Sequence, residues 1–100
     1  MSLPEADAPD VRQHRTMRIT FKLYATLGDY LPSEGRVGNV VQMDVPETTT
    51  VNDLVEQHRL PPKLVHLVLI NGVFIPPGER ANRVLQPGDV LAIWPPVAGG

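Results

Sequence analysis

Residues 85–100 read Leu85-Gln86-Pro87-Gly88-Asp89-Val90-Leu91-Ala92-Ile93-Trp94-Pro95-Pro96-Val97-Ala98-Gly99-Gly100. Gln86 to Asp89 has the composition of a turn. Val90 to Trp94 follows as an unbroken apolar run. A strand with one wet face alternates, whereas a short continuous run fits a strand covered on both sides in the middle of a sheet. Pro95 and Pro96 end it. A last strand that is also a central strand needs partners on each side, and earlier segments must supply them.

Working back from there, Val65 to Ile70 is nearly all apolar and predicts a third strand. Asn71-Gly72 and then Val73-Phe74-Ile75 follow directly. Asn-Gly between apolar runs is a strong hairpin signal, because both central residues of that turn need positive φ. Pro76-Pro77-Gly78 closes this fourth strand. Upstream, Val51, Leu54, Val55 and His58 share one helical face. Thr50 is the expected N-cap, with Asp53 as a short relative of the capping-box Glu, and Pro61-Pro62 keeps the helix short. Val41, Met43 and Val45 alternate with Gln42 and Asp44, and Ile19, Phe21, Leu23 and Ala25 alternate with Arg18, Thr20, Lys22 and Tyr24, giving two more strands. Between them Gly28, Pro32, Gly35 and Gly38 mark a loop, with one helical turn at Asp29-Tyr30-Leu31. The order is strand, strand, helix, strand, strand, strand. This is the α+β order of the β-grasp (ubiquitin-like) fold: a mixed four- to five-stranded sheet with one main helix on one face. The first and last strands are expected parallel at the centre, and the helical crossover right-handed. The domain should occupy residues 16–96. Residues 1–15, polar and proline-containing, read as a disordered tail, and 97–100 as a flexible one.

The bulk numbers narrow the function. One hundred residues hold one domain and a modest core, which weighs against a self-contained enzyme with a deep cleft. A net charge of −2 gives no electrostatic footprint for nucleic acid. The absence of cysteine excludes disulfides, thiolate catalysis and thiolate metal sites. An early acid without an apolar run does not read as a secretion signal, and no stretch is long enough to span a membrane. A cytoplasmic protein is the resulting expectation.

The end of the chain carries the functional signal. Two prolines bias the backbone toward an extended exit. Val97 and Ala98 are small, and Gly99 and Gly100 have no side chain, so this end fits a channel where any Cβ would clash. By chance a Gly-Gly ending occurs in about one chain in two hundred. Here it follows a strand and two prolines with no linker between.

The run from Leu85 to Gly100 resembles the C-terminus of the molybdopterin synthase small subunit, a relative of the thiamine-biosynthesis sulfur carrier. That family typically shows a Pro-Gly-Asp turn, an apolar strand and an aromatic-Pro-Pro-Val-Ser/Ala-Gly-Gly tail. The likeness covers residues 17–100 in element order. It implies that Gly100 is adenylated and then thiocarboxylated, that Gly99 permits threading, and that Trp94 is an exposed aromatic that contacts partners, with Pro95, Pro96, Val97 and Ala98 in the same contact. Leu91 and Ile93 match inward-facing positions. It implies no bound cofactor, since ATP is used by the activating enzyme. The implied partners are a ubiquitin-activating-type adenylating enzyme and the large subunit of molybdopterin synthase, or an equivalent sulfur acceptor. No nucleic acid or membrane is implied. The chemistry is coherent: ATP turns a poor acyl donor into a mixed anhydride, AMP leaves on attack by sulfur, and the –COSH formed stays tethered.

Other residues compete poorly. His14, His58 and His66 lack metal-ligand spacing; His58 reads as a helix-end group and His66 as a strand-edge polar residue. Gly35-Arg36-Val37-Gly38 lacks the Lys-Ser/Thr of a phosphate loop. Asp44, Glu47, Asp53 and Glu56 read as solvated surface, and Ser2 and Ser33 have no base nearby. Alternation from Leu91 and Ile93 puts Trp94 on the uncovered face, where a partner-facing ring is the expectation. Three other readings remain: a ubiquitin-like modifier conjugated through Gly100, a sulfur carrier of a different pathway such as thiamine biosynthesis, and an interaction module whose tail is unused.

Overall fold

The computed structural model describes residues 15–97. Its strands are β1 (Thr16–Leu23), β2 (Arg36–Val37), β3 (Val40–Pro46), β4 (Leu67–Ile70), β5 (Val73–Phe74) and β6 (Val90–Trp94), with one α-helix, α1 (Val51–Gln57). They form a single sheet in the order β2-β3-β1-β6-β4-β5. β1 runs antiparallel to β3, from Thr16↔Pro46 to Lys22↔Val40, and parallel to β6, from Thr20↔Val90 to Leu23↔Ile93. The first and last strands therefore lie side by side and parallel at the centre, as the β-grasp order requires.

The alternation along β1 becomes burial. Met17, Ile19, Phe21 and Leu23 face the core and Arg18 faces solvent. In β6, Leu91 and Ile93 point into the same core, under Val51 and Leu54 of α1. The helix begins with a closed capping box: the Asp53 N–H donates to Thr50 Oγ1 (3.1 Å) and the Thr50 N–H donates to Asp53 Oδ2 (2.9 Å). Asp at this position thus does the work of the longer Glu. His58 caps the other end, its Nδ1 2.9 Å from the Leu54 carbonyl and its ring tilted over Phe21 at 5.0 Å. At the β4–β5 turn, Asn71 has φ 52° and Gly72 φ 84°, both positive as the Asn-Gly signal demands.

Three expectations need correction. The sheet has six strands, not four or five, because Arg36–Val37 adds an edge strand within the stretch read as loop. Both of its residues are exposed, so no buried alternation announces it; Gly35 and Gly38, with φ of 75° and 61°, shape the backbone around it. The helical turn expected at Asp29–Leu31 is a longer 3₁₀ segment, Ala25–Tyr30. At Gly28 within it, a Cβ would sit 2.9 Å from the Asn39 side-chain nitrogen, so a larger residue would push aside the amide that donates to the Leu23 carbonyl. The third strand starts at Leu67 rather than Val65, because the Val65 N–H is taken by Pro62 in a 3₁₀ turn.

The Arg15 carbonyl already accepts from the Glu47 N–H at 3.1 Å. The tail expected over 1–15 lies, apart from Arg15, outside the described residues, as do Ala98, Gly99 and Gly100. Among the described residues, no helix is long and apolar enough to cross a membrane.

Candidate functional site

The last strand enters the sheet through a locked turn. The Asp89 N–H donates to the Gln86 carbonyl (3.0 Å), and one Asp89 carboxylate oxygen accepts from the Gln86 N–H (2.8 Å). The other accepts from the Asn71 side-chain amide at 2.8 Å, and Asn71 Oδ1 accepts from the Val90 N–H at 2.9 Å. Gly88, at φ 83°, donates its N–H to the Arg18 carbonyl (2.8 Å). One asparagine thus ties the β4–β5 hairpin to the start of β6. The buried Asp89 carboxylate is satisfied by two donors, which is what a carboxyl group needs in order to be buried at all.

The other end of β6 is held differently. The Tyr24 N–H donates to the Ile93 carbonyl and the His66 N–H to the Trp94 carbonyl, each at 3.1 Å. The backbone is therefore gripped from both neighbours as far as Trp94. Trp94 lies on the face opposite Leu91 and Ile93, as its position in the alternation implies. The ring is half-buried rather than exposed, because Tyr24 stacks flat on it with centroids 4.2 Å apart and planes 1° apart. Beyond it Pro95 is half-buried, Pro96 is exposed, and Val97 is 76% exposed. Gly100 lies six residues past Trp94, a reach of at most about 22 Å of extended chain.

From Trp94 to Gly100 no side chain is an acid, a base or a nucleophile. The side chains of this segment therefore supply no catalytic group of their own. Among the described residues, no group of three or more His, Asp or Glu could hold a metal ion. His58 is committed to the helix end, and the exposed His66 meets the tail only through its backbone bond to Trp94.

Two features of this site escape a reading of the sequence. The Tyr24–Trp94 stack joins the ends of the first and last strands, far apart in sequence. Its signal is the parallel register, since Tyr24 follows Leu23, the partner of Ile93. The Asn71–Asp89 clamp has no such signal, because each residue is already explained by its own turn.

Comparison with known proteins agrees with this arrangement. No curated protein sequence is significantly similar to the chain. Among solved structures, the solution structure of the HVO 2177 protein of Haloferax volcanii superposes with a TM-score of 0.64 at 24% identity, over 85% of this chain and 88% of that one. At that identity the likeness speaks for the fold alone. The crystal structure of SAMP1 from Haloferax volcanii superposes with a TM-score of 0.55 at 29% identity, over 83% of this chain and 99% of that one. The ThiS family model matches residues 34–100, well over half of the chain. That match takes in the helix, the hairpin, β6 and the Gly-Gly end, and the chain therefore belongs to the ThiS family of ubiquitin-like sulfur carriers.

Proposed function

We propose that the chain carries sulfur as a thiocarboxylate on Gly100, and that it serves as the small, sulfur-donating subunit of molybdopterin synthase. Members of its family are small carriers or modifiers, not enzymes. The observation that carries the reading is the family match running through Gly100 from a strand whose backbone is gripped as far as Trp94. The strand is held as far as Trp94, and Gly99 and Gly100 carry no side chain that would obstruct a narrow site. The carboxylate attacks the α-phosphorus of ATP in an adenylating enzyme and pyrophosphate leaves. A sulfide-equivalent nucleophile then attacks the carbonyl carbon and AMP leaves. The Pro95-Pro96-Val97 segment favours the molybdopterin synthase small subunit over the thiamine-pathway carrier, and a large subunit would hold the pterin precursor that accepts the sulfur.

The likeness to SAMP1 supports a second reading, a ubiquitin-like modifier joined through Gly100 to lysines. Intact-mass measurement of the protein from its native cell separates the two. Exchange of one oxygen for sulfur, with sulfur transfer to a pterin precursor on a purified large subunit, supports the carrier. Isopeptide-linked adducts without any thiocarboxylate support the modifier.

A further inference from the structure

Beside the strand that pairs with Trp94, α1 and the β4–β5 hairpin border a groove of about 610 Å³ lined by Val55, Leu60, Val65, Leu67, Phe74 and Arg80. Its walls are mostly apolar; Asn52, Glu56 and His66 add polar groups, and the one buried charge is that of Arg80, which is only 5% exposed. The guanidinium donates from Nε to the Ile75 carbonyl (3.0 Å) and from Nη2 to the His66 carbonyl (3.2 Å). Both acceptors are neutral. Among the described residues the one side-chain ion pair is Arg18 with Asp44, so no carboxylate answers this charge, and Glu56 at the groove's rim stands beyond ion-pair distance. Nη1 has no acceptor among these residues, yet no buried side-chain nitrogen lacks one. Nη1 is therefore not fully enclosed, and Arg80 is one of the residues that line the groove. Burial pushes the guanidinium below its ordinary pKa. A cation this desolvated is costly unless a counter-charge reaches it.

The groove borders an open sheet edge. β5 is the outermost strand, and Val73 and Phe74 are 61% and 50% exposed. The Ile75 N–H donates inward to the Val68 carbonyl at 2.9 Å. Antiparallel pairing alternates, so the N–H and C=O of Phe74 face away from β4, toward the open side. An unpaired strand edge is a template for another strand.

We propose that the groove and the β5 edge together take an extended internal segment of a partner protein. Its backbone pairs with Phe74, an apolar side chain enters the groove, and an Asp or Glu carboxylate meets Arg80. The edge calls for extended backbone, the walls for an apolar side chain and the guanidinium for the acid, in the strand-addition mode of peptide recognition. This surface is separate from the thiocarboxylate chemistry and does not depend on it.

The test is an amide NMR titration of the full chain with the capped peptide acetyl-Thr-Val-Asp-Val-Thr-Lys-amide and its Asn counterpart. Shifts should gather at Val55, His66, Phe74 and Arg80. The Asn peptide should bind about tenfold more weakly, the value of one charge-assisted hydrogen bond. That comparison leaves the protein unaltered, so it does not depend on Arg80→Gln remaining folded. Phe74→Pro removes the outward N–H without breaking a ladder bond, and should lose binding that Phe74→Ala keeps in part. Equal affinity for the Asp and Asn peptides would overturn the proposal, and so would shifts centred on Tyr24 and Trp94. Groove resonances that move on dilution without peptide would mean that a second copy is the occupant. Groove resonances that move on deletion of Gly99 and Gly100 would mean that the chain's own tail is. Either result overturns it.

Discussion

At its start β6 is tied by a side-chain clamp in addition to main-chain bonds; at its end it is held by two main-chain bonds and one ring stack. The Asp89–Asn71–Gln86 clamp fixes where the strand begins, and the bonds from Tyr24 and His66 fix where it stops. Past Trp94 the described residues make no hydrogen bond and become exposed within two positions. Under the proposed function, stability and chemistry divide at Trp94. Changes before Trp94 should act on the fold, and changes after it on reactivity.

The sharpest way to break this division is to attack the strand's middle. Ile93→Ala removes a fully buried side chain from the shared core, and should cost about 2–5 kcal/mol in chemical denaturation. A loss well under 1 kcal/mol would mean that β6 is not the central strand described here. Next in size, Asp89→Ala leaves the Asn71 amide and the Gln86 N–H without their acceptor, at about 2–3 kcal/mol. Tail reactivity of the fraction still folded should be unchanged. If it falls in step with stability, the clamp also positions the tail.

Trp94 sits on the boundary and should show both effects. Its ring is half-buried and stacked, so Trp94→Ala should cost about 1–2 kcal/mol of stability, below the ~3–5 kcal/mol of a core aromatic. Binding to the activating enzyme should weaken by more, about 2 kcal/mol or above where the ring is a hot spot. Unchanged affinity with severe unfolding would assign Trp94 to the core alone. The smallest effect on the fold is expected at the far end of the chain. Removing residues 1–14 keeps the Arg15 carbonyl that bonds to Glu47, and should leave Tm within a few degrees. A large drop would show that the leader packs against the domain.

Much of this division can be read from the sequence, for identifiable reasons. Alternation along β1 and β3 reports burial directly, Asn71-Gly72 reports a backbone conformation, and Thr50 with Asp53 reports a cap. Each signal sits within a few residues. What stayed hidden depends on partners distant in sequence or on exposed backbone. Arg36–Val37 pairs through its main chain with both side chains in solvent, so composition cannot mark it. Arg80 lies in the polar stretch Glu79-Arg80-Ala81-Asn82-Arg83, which reads as surface, yet its guanidinium is buried against two carbonyls. The tail is the converse case: its chemistry is suggested by the sequence, through a resemblance and two glycines, and its described part adds only the fixed point of departure.

The central claim is that Gly100 carries the reactive carboxylate at a distance set by the end of β6. Three chains should be compared: the native chain, one lacking Gly100 and one extended by a single residue. Each is incubated with the cognate adenylating enzyme, ATP and a sulfur source, and intact mass is followed for exchange of one oxygen by sulfur. One residue of extended chain moves the end by about 3.3–3.6 Å, and attack geometry tolerates displacements of about 1 Å. The native chain should be thiocarboxylated and the other two should not, with all three melting at the same temperature. Thiocarboxylation of the extended chain as readily as the native one, without prior trimming, would contradict the account.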